Sequence, residues 1–164
     1  MMKLVLSDLH ESLGSKMVEF AGYFMPIQYK MGVKEEHRIV REEVGIFDVS
    51  HMGEGFVSGK KALEFLQYIT SNDVSKLTPG KVQYTCLPNF DGGIVDDFLL
   101  YMLEENKYLL VVNASNMGKD LKWINFHNSF GCAIDNQSDN YSLLAVQGPK
   151  SIDLLQEITT ENLS

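Results

Sequence analysis

The 164-residue chain carries 14 Lys and Arg against 22 Asp and Glu, a formal net charge of −8, and is 45% hydrophobic and 22% charged. Those totals suit one ordinary globular domain, or one and a fraction, with enough apolar residues for a sizeable core. An acidic chain with no basic cluster argues against nucleic acid and anionic membrane as partners, and no run approaches the roughly 18 apolar residues of a membrane span.

Leu9-His10-Glu11-Ser12-Leu13-Gly14 starts as a short helix or turn. It begins like a zinc-binding HExxH helix, but Gly14 stands where the second histidine belongs, so no metal is expected there. The N-terminal apolar run is too short for a signal peptide. Met17 to Tyr29 is apolar and aromatic, broken by Gly22 and Pro26, which favours short extended segments and a turn. Val33 to Val44 has a helical stripe of Val33, His37, Val40 and Val44, with Gly45 as its stop. Ile46 to Gly59 is extended with glycine breaks. Gly53, Gly55 and Gly59 lack the strand-then-helix frame of a phosphate loop and suit close backbone approach instead.

Lys60 to Ile69 is an amphipathic helix, with Ala62, Leu63, Leu66 and Ile69 expected on its buried side. Strands follow at Val82–Leu87, Ile94–Leu103 and Tyr108–Asn113, the last two close enough for a hairpin. A helix capped at Ser115 or Asn116 runs to about Asn128, with Met117, Leu121 and Ile124 as its stripe. Strand candidates at Gly131–Asp135 and Tyr141–Val146 and a helix from Ser151 to Ile158 complete the pass. The order implies an α+β fold: a ferredoxin-like split βαβ sheet with helices on one face. The expected organisation is residues 1–50 as an incomplete first domain, 51–140 as the α+β domain, and 141–164 as a return into the first. Cys86 and Cys132 lack metal spacing and are expected as two buried thiols of a reducing cytoplasm.

Asp91-Gly92-Gly93 forms a turn and feeds a strand that carries adjacent carboxylates, Asp96 and Asp97, inside an apolar run. Side chains alternate across a strand, so one Asp points inward and needs a partner, a raised pKa or a chemical task. The ordinary alternative is two solvated acids at a strand end. Asn113, at the end of the third strand, is either a helix cap or an amide offered to a ligand. Tyr84, Tyr101 and Tyr108 are core aromatics by default, or a stacking surface for a flat heterocycle. His51 and Met52 are packing residues by default. No Ser-His-Asp or Cys-His arrangement stands out. The residues by themselves lead as far as an α+β domain with a candidate carboxylate-centred pocket.

Read as strings, the residues go further. Leu13-Gly14-Ser15-Lys16-Met17-Val18, Phe20-Ala21-Gly22, Met25-Pro26-Ile27-Gln28-Tyr29 and Val44-Gly45-Ile46-Phe47-Asp48-Val49-Ser50-His51-Met52-Gly53 occur in that order. Gly92-Gly93-Ile94-Val95-Asp96-Asp97, Tyr108-Leu109-Leu110-Val111-Val112-Asn113-Ala114 and Leu144-Ala145-Val146-Gln147-Gly148-Pro149 follow. From about Leu9 onward the chain resembles the glycine cleavage system T-protein (aminomethyltransferase) family. Tyr23 and Glu19 depart from residues common there.

The resemblance implies transfer of a methylene group to tetrahydrofolate as co-substrate, with release of ammonia. The donor is the aminomethyl group on the lipoyl arm of a lipoylated H-protein. No metal is expected, and the absent transit peptide suggests a cytoplasmic setting. The resemblance gives Asp96 the pterin-facing catalytic role and places Met52, Tyr84, Val112 and Asn113 in the folate pocket, with Asp97 turned outward. Family chains are about twice as long and carry further folate-gripping residues beyond the position of Ser164. The resemblance therefore implies a chain that does not turn over by itself and that self-associates through uncovered apolar surface. Alternatives are a folate-dependent domain of sarcosine- or dimethylglycine-oxidising enzymes and a non-catalytic folate-binding protein of iron–sulfur assembly.

Overall fold

Glycine turns and alternating apolar residues resolve into two units in the computed structural model, which describes residues 1–163. One unit comprises residues 1–51 with the stretch from 142 onward, and the other residues 52–141.

In the first unit, β1 (Met2–Lys3), β2 (Lys16–Phe20) and β3 (Tyr23–Gln28) form a sheet in the order β1-β3-β2. β2 and β3 are antiparallel across a tight turn at Ala21-Gly22, whose φ angles are +51° and +85°. The two-residue strand β1, parallel to β3, completes a three-stranded sheet within the stretch before residue 50. Around it lie α1 (Ser7–Ser12), α2 (Val33–Glu42), β4 (Gly45–Asp48), β10 (Leu144–Gln147) and α5 (Ser151–Gln156), with β4 and β10 antiparallel. Gly45 is the first residue of β4 rather than a helix stop, because α2 already ends at Glu42. Neither α2 nor α5 has a fully buried residue. Phe20, Ile27, Ile46, Phe47 and Ile152 remain exposed. Gly148 leaves β10 at φ +128°, and a Cβ there would lie 2.4 Å from the Glu43 carbonyl oxygen. Only glycine fits that approach.

The second unit holds β5 (Gly53–Ser58), α3 (Ala62–Ile69), β6 (Val82–Pro88), β7 (Ile94–Glu104), β8 (Lys107–Val112), α4 (Met117–Phe126) and β9 (Ala133–Asn136). Its five-stranded sheet runs β6-β7-β8-β5-β9, every neighbouring pair antiparallel. The molecule is therefore α+β. Register sorts the side chains by face. Val57, Tyr108, Leu110, Val112, Phe98, Leu100 and Leu87 share one face and are fully buried with Phe65, Leu66 and Ile69 of α3 and Ile124 of α4. Phe65 takes the buried place expected for Leu63, which is more than one-third exposed. Positions 62, 65, 66 and 69 form the narrower stripe at 3.6-residue spacing, and Leu63 lies off it.

Candidate functional site

The chain reaches the site through the turn after β6. Asn89 Oδ1 accepts from the Asp91 and Gly93 backbone N–H groups at 3.1 and 2.7 Å, and Gly92 sits at φ +81°. An Asx side chain and a left-handed glycine close the turn cheaply. β7 then places Asp96 and Asp97 on opposite faces.

Asp96 shares the helix-covered face with Phe98 and Leu100 and is only 9% exposed. Asp97 is half-buried on the other face, where the Tyr84 hydroxyl donates to its Oδ2. One inward and one outward carboxylate is the arrangement alternation required, and register identifies the inward one as Asp96.

Asn113 follows β8 and lies beside this pair. Its Nδ2 is 3.3 Å from both Asp96 oxygens, 3.0 Å from the Asp97 carbonyl oxygen and 3.4 Å from Asp97 Oδ1. Two N–H groups spread over four acceptors make a shared contact rather than two strong bonds. Asn113 caps no helix: the 3₁₀ turn that follows it has no side-chain cap bond. The ordinary role considered for it is thus absent, and its amide is engaged with the carboxylates.

α4 closes over Asp96 from the helix side. Lys119 Nζ donates to the Val95 carbonyl oxygen at 2.6 Å, tying the first turn of α4 to β7. A Cβ on Gly53 would come within 2.8 Å of Met117 Cγ and Val112 Cγ2, so its absence lets α4 seat on the sheet. This brings Asp120, which is 0% exposed, to the Asp96 carboxylate. Burial alone would push Asp96 up. Hydrogen bonds from Asp120, the Asp97 backbone, Asn113 and Asn116 outweigh burial and hold Asp96 below the usual carboxylate range. Asp120 shifts the other way, to about 7, first through burial and then through its contact with the Asp96 charge, partly offset by Lys119.

Four of the five residues named from the sequence therefore gather at one end of this sheet. Asp96 is on β7. Val112 is the buried last residue of β8, Asn113 follows it, and half-buried Met52 immediately precedes β5. Tyr84 is the exception. It is 61% exposed on the opposite sheet face and reaches the pair only through Asp97. Asp120 was not among the named residues. Its signal was present, since position 120 lies three after Met117 and four before Ile124 on the stripe assigned to the core.

Other polar groups are buried away from this site. In the first unit His10 joins Tyr29 Oη at 2.7 Å to Asp48 Oδ2 at 2.9 Å. Burial pushes Asp48 up, but bonds from Ser50 and His10 outweigh it and leave the carboxyl below its ordinary value. That unit also has a cavity of about 360 Å³ with largely aliphatic and aromatic walls from β3, α2 and β4. Tyr29, Glu36, Asp48 and His51 are the titratable side chains in its lining. In the second unit Glu54 is 3% exposed, neither carboxyl oxygen has a side-chain hydrogen-bond partner among the described residues, and burial raises its pKa to about 7. Cys86 and Cys132 are both free, Cys132 buried and Cys86 half-buried. Among the described residues no group of three His, Cys, Asp or Glu side chains is placed to hold a metal ion, and no helix is long and apolar enough to cross a membrane.

Comparison with known proteins supplies independent findings. The model of the GCVT N-terminal domain family matches residues 6–164. An aminomethyltransferase of Flavobacterium psychrophilum is 57% identical over 163 residues, spanning 99% of this chain and 45% of that protein. One from Bacteroides fragilis is 58% identical over 158 residues, spanning 96% and 44%. The crystal structure of glycine cleavage system aminomethyltransferase T from Bartonella henselae superposes with a TM-score of 0.89 at 38% identity, covering 94% of this chain and 43% of that one. The chain thus spans less than half the length of the relatives it matches.

Proposed function

This chain belongs to the GCVT N-terminal domain family, and from that premise we propose that it serves the aminomethyltransferase reaction of the glycine cleavage system. In that reaction a methylene passes from an aminomethyl group on a lipoylated H-protein to tetrahydrofolate, and ammonia leaves. The observation that carries the reading is Asp96: a nearly buried carboxylate held ionised at the rim of a helix-covered sheet.

The donor set suits a pterin. A carboxylate offers about four lone-pair sites. The Asn113 amide approaches Asp96 only at 3.3 Å, a long contact that can yield to a ligand N–H group. Tetrahydrofolate, when bound, supplies the nitrogens that take up the methylene. Asp96 would orient those nitrogens and stabilise positive charge that develops on them, and can accept a proton released there. Asn113 holds the Asp96 carboxylate in place, while Met52 and Val112 supply apolar walls. Tyr84 orients Asp97 rather than the ligand. With these side chains the site works by positioning and electrostatics.

We further read the second unit as a ferredoxin-like split βαβ sheet with an added strand. Leaving out β6, the order β9-β5-β8-β7 with α3 and α4 as crossovers on one face supports this. The exposed Phe20, Ile27, Ile46 and Phe47 support self-association of the chain, and the absence of a basic cluster suits a cytoplasmic enzyme of small metabolites.

Anaerobic calorimetry of tetrahydrofolate binding, on the chain and on Asp96→Asn, tests the proposal. Loss of charge-assisted hydrogen bonds at about 1.5–3 kcal/mol weakens binding roughly ten- to a hundredfold. Saturable binding that Asp96→Asn leaves unchanged would refute the role given to Asp96.

A further inference from the structure

Asp120 has no place in the proposed chemistry, yet its position is unusual. It lies in the first turn of α4, is 0% exposed, and no N–H or O–H of the described residues reaches either of its carboxyl oxygens. The polar group against it is the carboxylate of Asp96. Two buried carboxyls in contact cannot both ionise without severe like-charge repulsion in a poorly solvated space. A neutral Asp120 resolves both problems, because its O–H then donates to Asp96 and the orphaned group gains a partner.

The surroundings decide which carboxyl carries the proton. Asp96 receives Asn113 Nδ2 and lies beside the Asp97 backbone N–H and Asn116, all of which favour its charged form. The charged groups that bear on Asp120 are Asp96 and Asp97 from β7 and Lys119 from its own helix. Lys119 sits at the surface with its ammonium bound to the Val95 carbonyl oxygen. Two negative neighbours and one solvated, already engaged cation leave the proton on Asp120.

We infer that Asp120 is the positioning residue of the Asp96 site: it holds one proton shared within a two-carboxyl pair and donates it to Asp96, fixing Asp96 as the ionised, ligand-facing member. The pair is a structural statement about the chain, while its consequence for tetrahydrofolate rests on the function proposed above. The displacement of Asp120 to about 7 agrees with the geometry. Near neutral pH the pair therefore passes from one negative charge to two, the proton going to solvent.

The direct test is a carboxyl ¹³C NMR titration of Asp-labelled chain, with Asp120→Asn to assign the resonance. The expected result is an Asp120 midpoint near 7 that falls by about one pH unit or more in Asp96→Asn, where one charged neighbour is gone. An Asp120 midpoint in the ordinary range near 4, or one that Asp96→Asn does not move, overturns the inference whatever tetrahydrofolate does. A second arm reads function. Tetrahydrofolate affinity of the unaltered chain changes about tenfold between pH 6 and pH 8. In Asp120→Asn, whose amide still donates to Asp96, it changes less than twofold and stays near the affinity of the unaltered chain at pH 6. Asp120→Ala weakens it at both values. A pH profile that survives Asp120→Asn refutes the positioning role. Complete absence of folate binding together with the expected NMR midpoints refutes the proposed function and leaves the carboxyl pair standing.

Discussion

Replacing Glu54 by Met should stabilise this protein, and by more at pH 8 than at pH 5. Glu54 is 3% exposed, both of its oxygens lack partners among the described residues, and burial lifts it from an ordinary 4.5 to about 7. Between those two values the unfolded chain has released the proton that the folded chain still holds. The folded state then binds more protons, so stability falls as pH rises through the window and levels off above the folded value. At about 1.4 kcal/mol per pH unit, the displacement from 4.5 to about 7 costs about 3 kcal/mol at pH 8. Methionine has nearly the same length, carries no charge and forfeits no side-chain hydrogen bond that Glu54 makes. The assay is thermal unfolding of both proteins at pH 5, 6, 7 and 8. At about 2–4 °C per kcal/mol, the gap in Tm should widen by about 5–10 °C from pH 5 to pH 8. Asp120 titrates in the same range but is present in both proteins, so it cancels from the difference. A gap independent of pH, or greater stability of the unaltered protein at pH 8, would show that Glu54 is not a buried neutral carboxyl.

Other substitutions address the core, a backbone approach and the polar relay. Leu66→Ala removes a side chain with 0% exposure between α3 and the sheet, and should cost about 2–5 kcal/mol in urea unfolding; a loss below about 1 kcal/mol would contradict the packing described. Gly148→Ala places a methyl 2.4 Å from the Glu43 carbonyl oxygen at a positive φ, and should cost more than about 1 kcal/mol; a neutral effect would contradict the close approach. Asp48 is held below its ordinary 3.8 in the folded state, so it contributes stability above that value that is lost as pH falls through the folded one. Asp48→Asn should cost about 1–3 kcal/mol at pH 7 and reduce the fall in Tm between pH 5 and pH 3; an unchanged acid limb would remove Asp48 from the account.

Much of the site was legible because it depends on short-range periodicity. Period-two alternation through Ile94-Val95-Asp96-Asp97-Phe98 requires one inward and one outward carboxylate, and the Asp-Gly-Gly turn announces the strand that carries them. The strings around Asp96, Met52, Val112 and Asn113 fall at one sheet end because Gly53 pairs with Val112 and Val112 with Phe98. What was not legible depends on which face is covered. Val82 to Leu87 lacks clean alternation, so the sequence could not say that Tyr84 lies on the face of Asp97. Position 120 fits the apolar stripe of α4, but an acid there reads as an exception until its neighbour across the layer is known. Glu54 alternates with Gly53 and Gly55, a pattern that reads as a solvated acid between strand glycines. The bond between His10 and Asp48 joins residues 38 apart, beyond any local pattern. Phe65 rather than Leu63 fills the core, and here the 3.6-residue spacing was itself the signal, since 62, 65, 66 and 69 form the narrower stripe.

The central claim is that Asp96, steadied by Asn113, forms the pterin-facing part of a tetrahydrofolate site. Its most direct test is a titration of isotope-labelled chain with tetrahydrofolate under anaerobic conditions, observed in ¹H–¹⁵N spectra. The account predicts saturable shifts at the Asn113 side-chain amide and the Asp96 and Asp97 backbone N–H groups, abolished or moved to far higher concentration in Asp96→Asn. Saturable shifts centred elsewhere and indifferent to Asp96→Asn would contradict it.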